Sequence, residues 1–311
     1  MKILFMGTPE FSVASLDTMV KNNYDVVGVF TQPDKPKGRG HKLLSSPVKI
    51  YALEHNIKVY QPTTLKDNAV LDLLKELSPE LIVVTAYGKL LPKYVLDFPK
   101  YGCINIHASL LPKLRGTAPI QWSIINGDTK TGITSMYMAQ KLDAGDILIA
   151  KECDISPDET ASSLHDKLME LSTSVLKETL FKVENNTLEP KVQNESLVSY
   201  ASLLTNENTV IDFNKSNEEV YNFIRGLSLF PAAKTCLNDV NFKMLSSLIS
   251  DEIIDKPAGS ITITKKKVLV SCKNKSCIEI LELVPKGSKK MRATDYFNGH
   301  KINEMDRFNE C

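Results

Sequence analysis

Residues 103–112 have the sequence CINIHASLLP, in which an apolar run ends on an amide and an imidazole two positions apart. Side chains of a β-strand alternate between its two faces, so Asn105 and His107 share one face while Ile104 and Ile106 share the other. The isoleucine face suits a core. The pattern therefore predicts a strand whose carboxyl end carries two polar groups. A strand end with both polar side chains in solvent is the alternative.

This pair of polar side chains suits a particular kind of chemistry. A carboxamide can donate a hydrogen bond to an oxygen that becomes negatively charged, and an imidazole can carry a charge or move a proton. Together they suit a reaction in which a carbonyl carbon becomes tetrahedral. Asn105 and His107 are therefore the first candidates for catalysis.

Helices and strands alternate on both sides of this stretch. Apolar runs predict strands at residues 2–6, 26–31, 58–61, 81–85, 103–107 and 133–138, with helices between most of them. This βαβ pattern predicts a Rossmann-like α/β fold with an open, largely parallel sheet. Ligands of such sheets bind beyond the carboxyl ends of the strands, where Tyr87 and His107 fall. The first turn lacks the G-x-G-x-x-G pattern, so a nucleotide cofactor is not supported.

The pattern changes in the last third of the chain. A long amphipathic helix that begins near Ala161 closes a first domain, predicted to span residues 1–185. Residues 186–206 are polar and aperiodic and predict a linker. Ser216 and Glu219 have capping-box spacing ahead of one more helix. Short alternating runs then predict a small β-rich domain within residues 207–311.

Composition argues against a membrane-spanning or disulfide-rich protein. The 311 residues are 42% hydrophobic and 24% charged. No apolar run approaches the roughly 18 residues that a membrane helix needs. The six cysteines are dispersed and form no C-x-x-C pair. The opening segment, with Pro9 close to its start, predicts a first strand rather than a signal peptide. We therefore expect a cytoplasmic protein without a metal site.

Positive charge is concentrated in two regions, although the net charge is only +1. Residues 257–292 hold nine Lys or Arg against two Glu, a net charge of +7, so the remainder carries −6. Residues 32–49 hold five Lys or Arg against one Asp, a net charge of +4, and their prolines and glycines predict a loop without regular structure. Such clusters favour a polyanionic partner, with ordinary solvated surface as the alternative.

Several strings together resemble the folate-dependent formyltransferases. That family has the pattern N-x-H-x-S-L-L-P, followed some thirty residues later by a loop of the type found here at residues 142–146, LDAGD. Further matching strings are FMGTPEF at residues 5–11, AYGKLLP at 86–92 and RGTAPIQ at 115–121. The segments at residues 28–49, 257–261 and 286–291 are similar to the members of the family that act on tRNA.

The resemblance implies both a reaction and its site. The formyl group of 10-formyltetrahydrofolate passes to the amino group of methionine on initiator methionyl-tRNA, without a metal. Asn105 binds the carbonyl oxygen, His107 supplies a charge or relays a proton, and Asp143 is the carboxylate beside His107, although its loop also has turn chemistry. The implied folate contacts are Tyr87, Gly88, Leu90, Ser109, Leu110, Leu111 and Pro112. The basic loop offers Lys35, Lys37, Arg39 and Lys42 to tRNA, and the C-terminal domain becomes a small OB-like β-barrel that also binds tRNA.

Two other functions remain open at this point. One is a formyltransferase that acts on a small amine, such as glycinamide ribonucleotide or an amino sugar. It would share Asn105, His107 and Asp143 but would lack the two basic regions. The other is a non-catalytic RNA-binding protein on the same scaffold, which loss of any of the three residues would have favoured.

Overall fold

The computed structural model describes residues 1–37, 42–228, 230–300, 302–303 and 305–309, without the side chains of residues 36, 37 and 42. The chain forms two compact units. The first holds Met1–Gly116, Thr131–Cys153 and His165–Tyr200, and the second holds Thr117–Lys130, Asp154–Leu164 and Ala201–Cys311. The predicted linker at 186–206 is thus divided between the units at residue 200.

A seven-stranded sheet forms the centre of the first unit, in the order β10-β9-β7-β6-β1-β2-β5. These strands are β1 (Lys2–Gly7), β2 (Asp25–Phe30), β5 (Val59–Tyr60), β6 (Leu81–Thr85), β7 (Cys103–His107), β9 (Lys130–Tyr137) and β10 (Ile147–Asp154). The neighbours from β7 to β5 pair in parallel, whereas β7 and β9 are antiparallel. The predicted open, largely parallel sheet is confirmed.

Helices connect these strands and cover the sheet. They are α1 (Glu10–Lys21), α2 (Pro47–Glu54), α3 (Asn68–Leu77), α4 (Lys93–Leu96) and α6 (Ala161–Glu184), whereas α5 (Pro119–Ile125) belongs to the second unit. Ser46 caps α2, because its side-chain oxygen accepts a hydrogen bond from the N–H of Lys49. Every residue of β6 and β7 is buried, as expected for parallel strands that are covered on both faces. Because these two strands are parallel, Tyr87 and His107 emerge at the same edge of the sheet.

The basic loop at residues 32–49 has more order than its composition predicts. Strands β3 (Lys35–Lys37) and β4 (Lys42–Leu44) pair as an antiparallel hairpin, so the expectation of no regular structure is wrong. A two-stranded ribbon has two open edges, and Pro36 can therefore join it without breaking a ladder hydrogen bond. Two shorter strands, β8 (Arg115–Gly116) and β11 (Tyr200–Ala201), and a 3-10 turn at Glu195–Leu197 complete the secondary structure up to residue 201.

The second unit is built on an antiparallel sheet in the order β12-β13-β16-β15-β14, with β17 beside β16. Its strands are β12 (Ala233–Leu237), β13 (Val240–Ser250), β14 (Ile261–Ile263), β15 (Val268–Ser271), β16 (Cys277–Pro285) and β17 (Met291–Arg292). Helices α7 (Asn217–Gly226) and α8 (Ala293–Gly299) and a 3-10 turn at Lys273–Lys275 accompany them. The predicted capping box of Ser216 and Glu219 is present at the start of α7.

The last described segment joins the two ends of this sheet. Asn309 pairs with Cys236 on β12, and Arg307 pairs with Ser260 just before β14. Between them, the N–H of Phe308 donates to the carbonyl of Gly259 at 2.8 Å. Phe308 is buried in the core of the unit. The first and last strands are therefore linked through one segment, which is the closure that a barrel of this size requires.

Of the described helices, none has the length and apolar content needed to cross a membrane.

The closing segment makes Gly259 hard to replace. Gly259 has φ of +82°, and a Cβ there would lie 2.2 Å from the carbonyl oxygen of Phe308. Gly287 has nearly the same φ, +81°, but nothing within 4 Å of a Cβ. Gly287→Ala should therefore cost about 1 kcal/mol, the strain of a left-handed alanine. Gly259→Ala should cost about 3 kcal/mol, because the steric clash is added to that strain. Chemical denaturation of the two variants measures both values, and equal losses would contradict the closure.

Candidate active site

Asn105 and His107 lie at the carboxyl end of β7, and both side chains are buried. Asn105 is 8% exposed and His107 is 6% exposed, so the alternative of two solvent-facing residues is wrong. Ile104 and Ile106, on the other face of the strand, are buried in the core as predicted. Burial raises the pKa of the Cys103 thiol to about 12, which leaves that neighbour a neutral packing group.

The imidazole of His107 is held by one hydrogen bond and faces one carboxylate. Its Nε2 lies 3.0 Å from the carbonyl oxygen of Leu114. A carbonyl can only accept, so Nε2 carries the proton. The Nδ1 atom then points towards Oδ2 of Asp143 at 3.8 Å. This distance is longer than a hydrogen bond, and the contact is electrostatic: a second proton, on Nδ1, would give an imidazolium that faces a carboxylate.

The carboxylate of Asp143 is fixed from the backbone. The N–H of Gly116 donates to Oδ2 at 2.8 Å. Asp143 itself has φ of +48°, and at Gly145 a Cβ would lie 1.8 Å from the carbonyl oxygen of Tyr137. The loop that carries Asp143 is therefore a tightly constrained turn that needs glycine at position 145. Asp143 can therefore be both a turn residue and the carboxylate beside His107, because the turn directs its side chain towards the ring.

Asn105 differs from its neighbours in having no partner. Within the described part of the chain its carboxamide makes no hydrogen bond, although the residue is almost fully buried. Its oxygen and nitrogen are not among the buried side-chain atoms that lack a partner, so they reach solvent at the edge of the sheet. A free carboxamide beside a fixed imidazole is what an incoming carbonyl oxygen would use.

Two residues that the sequence did not single out support this site. Arg115, 2% exposed, and Gln193, 6% exposed, bond to each other, and Gln193 also bonds to the loop of Asp143. Arg115 begins the family-like string at residues 115–121, but nothing in that string indicates that its side chain supports the site. Gln193 lies in the segment predicted to be a linker, where no periodicity marks a buried side chain.

The predicted folate residues lie at the same edge of the sheet. Ser109 is buried and closes a turn by donating from its hydroxyl to the carbonyl of Lys113 at 2.7 Å. Leu111 is buried, Leu110 and Pro112 are half-buried, and Leu90 is exposed. The folate assignment of these residues stays a prediction.

Tyr87 and Gly88 offer backbone rather than side chain to this edge. The Tyr87 ring is buried in the apolar cluster of the first unit, and burial raises the pKa of its hydroxyl to about 12. Its carbonyl accepts hydrogen bonds from Thr8 and Gln32 at 3.2 and 3.0 Å. Gly88 has φ of +83°.

The residues assigned to tRNA belong to the segment that contains the β3–β4 hairpin. Lys35 is exposed, Arg39 lies outside the described residues, and for Lys37 and Lys42 the structure gives the backbone alone. Lys49, counted with the loop's positive charge, lies 2.6 Å from Asp34 and 2.8 Å from Gln61. The hydrogen bond from Lys49 lowers the pKa of Asp34. Lys49 therefore braces the base of the hairpin and is not one of its unpaired cations.

No group of three His, Cys, Asp or Glu suited to holding a metal ion is found among the residues that the structure describes.

Comparison with known proteins covers both units. Residues 1–180 match the family described as formyl transferase, and residues 203–301 match the formyl transferase C-terminal domain. The methionyl-tRNA formyltransferase of Alkaliphilus oremlandii is 45% identical over 304 residues, which cover 98% of each chain. That of Bacillus subtilis is 43% identical over 306 residues, 98% of this chain and 96% of the relative.

Solved structures share the fold at low identity. A Helicobacter canadensis N-formyltransferase in complex with folinic acid and dTDP-3-aminofucose superposes with a TM-score of 0.68 at 22% identity, over 90% of this chain and 98% of that one. HypX from Aquifex aeolicus with tetrahydrofolic acid gives 0.63 at 15% identity, over 94% of this chain and 46% of that one. The match in fold, the two matched domains and the full-length relatives agree: the chain belongs to the formyl transferase family, and the relatives it matches over their full length are methionyl-tRNA formyltransferases.

Proposed function

We propose that the protein transfers the formyl group of 10-formyltetrahydrofolate to the amino group of methionine on initiator methionyl-tRNA, giving N-formylmethionyl-tRNA for translation initiation. The observation that carries this proposal is the carboxamide of Asn105, which makes no hydrogen bond among the described residues, beside His107 and Asp143, in a chain that matches methionyl-tRNA formyltransferases over its whole length.

The three side chains divide the chemistry of this acyl transfer. The amine nitrogen bonds to the formyl carbon, the bond from that carbon to N10 of the folate breaks, and N10 gains the proton that the amine loses. Asn105 donates to the formyl oxygen as negative charge develops on it. His107, fixed through Nε2 by the carbonyl of Leu114, presents Nδ1 to Asp143 and supplies positive charge or relays the proton.

The C-terminal basic region supports a tRNA partner once its paired residues are set aside. Lys267, Lys275 and Lys290 are paired with acidic neighbours. Five further cations of residues 257–292 are exposed and have no acidic partner among the described residues: Lys265, Lys266, Lys286, Lys289 and Arg292. Unpaired lysines and arginines are the groups that neutralise phosphates.

One assay tests the whole proposal. Purified protein with 10-formyltetrahydrofolate should formylate charged initiator tRNA, and it should leave free methionine, glycinamide ribonucleotide and a nucleotide-linked amino sugar almost untouched. A sugar substrate is worth including because a structural neighbour binds one, although likeness at 22% identity speaks for the fold alone. If a small amine is formylated in preference to charged tRNA, that amine is the acceptor. If the protein binds tRNA without turnover, it is a non-catalytic protein.

Asn105→Ala and His107→Ala should each lower kcat about 100- to 1,000-fold, with little change in KM for tRNA, because each removes charge stabilisation at the reacting centre. The two should differ in stability. Asn105 bonds to nothing among the described residues, whereas loss of His107 leaves the carbonyl of Leu114 without its donor, at a cost of about 1–3 kcal/mol. His55→Ala, which removes an exposed histidine of the same unit, is the control. Steady-state kinetics and denaturation measure both effects, and near-normal kcat would remove that residue from catalysis.

Asp143→Asn should cut kcat while the protein stays folded. The amide keeps the size of the side chain and an oxygen for the N–H of Gly116, but it loses the charge that faces His107. Asp146→Asn makes the same exchange three residues along the loop and should behave as wild type. If the two variants have equal activity, Asp143 is a turn residue and no more.

Neutralising the hairpin should weaken tRNA binding and flatten its salt dependence. The variant replaces Lys35, Lys37, Arg39 and Lys42. For each phosphate that is no longer neutralised, the slope of log affinity against log salt should fall by roughly 0.7 to 0.9. Folate binding should be unchanged, and kcat should also fall because the amine is less well positioned. Binding titrations at several salt concentrations, together with kinetics, give these values.

An equal change of charge at the opposite edge of the sheet is the control. Residues at the start of β1, just before β5, or at the ends of α1 and α3 lie at the amino ends of the strands, away from His107. Four exposed lysines meet this description: Lys2, Lys21, Lys58 and Lys75. If neutralising them weakens tRNA binding as much as neutralising the hairpin, the effect is one of net charge, and the hairpin is ordinary solvated surface.

A further inference from the structure

The side-chain amide of Gln193 uses all of its hydrogen-bonding groups within the first unit. Its Nε2 donates to the carbonyl oxygens of Asp143 and Gly145 at 2.8 and 2.7 Å. Its Oε1 accepts from Nη2 and Nε of Arg115 at 2.8 and 3.1 Å. One buried amide therefore grips the backbone on both sides of Ala144, at the centre of the loop that carries the Asp143 carboxylate.

Arg115 fixes which way this amide points. A guanidinium only donates, so the oxygen of Gln193 must face Arg115 and its NH₂ must face the two carbonyls. The other side of Arg115 is held by Glu195, with Nη2 and Oε1 2.8 Å apart. The positive charge of Arg115, which Glu195 helps to hold in place, therefore fixes the orientation in which the Gln193 amide donates to the loop.

The loop needs such a grip because its own conformation is unfavourable. Asp143 has a left-handed backbone, and the backbone at Gly145 lies so close to the carbonyl of Tyr137 that a Cβ would not fit there. Residues held in this region persist when surrounding contacts over-determine them. Without Gln193, two buried carbonyls would lose their donor, and the loop would relax in the place where it sets the position of a carboxylate.

The segment that carries Gln193 also holds the opposite wall of the site. The Ser199 hydroxyl accepts the N–H of Leu114 at 2.9 Å, and the Ser199 carbonyl accepts the N–H of Arg115 at 2.9 Å. Leu114 supplies the carbonyl that orients His107, and Gly116 supplies the N–H that holds Asp143. Residues 193–199 therefore fix both members of the His107–Asp143 pair, although none of them touches either ring nitrogen or the carboxylate.

We propose that Gln193, oriented by Arg115, is a positioning residue that acts through Asp143: it holds the loop so that the carboxylate faces Nδ1 of His107. This inference rests on the proposed function for its kinetic consequence. It assigns no contact between Gln193 and either substrate.

Gln193→Glu tests the grip with minimal change of shape. The carboxylate keeps its bonds to Arg115 but cannot donate, and it places an oxygen against the carbonyls of Asp143 and Gly145. We expect kcat to fall about 10- to 100-fold, the cost of misplacing a catalytic group, with little change in either KM. Gln193→Asn keeps the amide and shortens the side chain by one methylene. It should lower kcat by a smaller factor, again with little change in either KM. It remains informative if the first variant is too unstable to measure.

A double-mutant cycle separates positioning from general destabilisation. In the Asp143→Asn background most of the loss caused by Gln193→Glu should vanish, because the charge that Gln193 positions is already gone. Asn222→Asp is the matched control: it makes the same amide-to-acid exchange beside another buried arginine, Arg225, in the second unit. It should lower stability without lowering kcat.

A measurement without turnover keeps this inference distinct from the proposed function. The protein has five histidines, so ¹⁵N labelling gives few ring signals, and His107→Ala assigns the one that matters. Gln193→Glu and Asp143→Asn should move the His107 ring signals in the same direction, and Asn222→Asp should leave them in place. An inactive wild type would overturn the function alone. Unmoved His107 signals, an unchanged kcat, or an undiminished loss in the Asp143→Asn background would each overturn the role of Gln193.

Discussion

Burial of the His107–Asp143 pair is the constraint on which the first unit depends. A charged or polar group in a covered sheet is tolerated where fixed partners replace the water it has lost. Here the partners are backbone atoms of one short segment. The carbonyl of Leu114 accepts a hydrogen bond from Nε2 of His107, and the N–H of Gly116 donates to Oδ2 of Asp143. Both lie within three consecutive residues, so any shift of that segment moves the ring and the carboxylate together. The geometry of the site therefore depends on the position of residues 114–116.

The two units solve the problem of irregular backbone in different ways. In the first, the turn at Asp143 is held by side chains, the amide of Gln193 above all. In the second, the ends of the sheet are joined by backbone pairing of Arg307–Asn309, and Gly259 is the place where the two stretches of backbone come closest. Side-chain clamping leaves the position of a functional group adjustable by substitution, whereas the closure of the second unit relies on backbone hydrogen bonds that substitution changes less directly.

The sequence predicted what periodicity and local chemistry encode. The bounds of β6 and β7, the capping box of Ser216 and Glu219 and the sharing of one strand face by Asn105 and His107 all follow from short-range rules. The role of Gln193 does not, because a polar residue in an aperiodic stretch looks the same whether it is solvated or buried against Arg115. Lys49 shows the same limit for charge: it counts as +1 in any composition, yet its pairing with Asp34 is a long-range fact. Proline and glycine within residues 32–49 predict a loop because both are unfavourable inside a wide sheet, whereas a two-stranded ribbon has two open edges and accepts Pro36.

Two buried amides in one unit show how unmet hydrogen bonding separates a supporting residue from an acting one. Gln193 makes four hydrogen bonds to nitrogen and oxygen atoms and has nothing left to offer a substrate. Asn105 is buried to nearly the same extent and makes none within the described part of the chain. The carboxamide atoms of Asn105 still reach solvent, since they are not among the buried polar atoms that lack a partner, so they can exchange water for an oxygen of a substrate. The position is explained if the missing partner is the oxygen of a reacting carbonyl, whose negative charge grows as the bond to the amine forms. The carboxamide is then free to donate where charge develops, which is the condition for lowering a barrier rather than tightening binding.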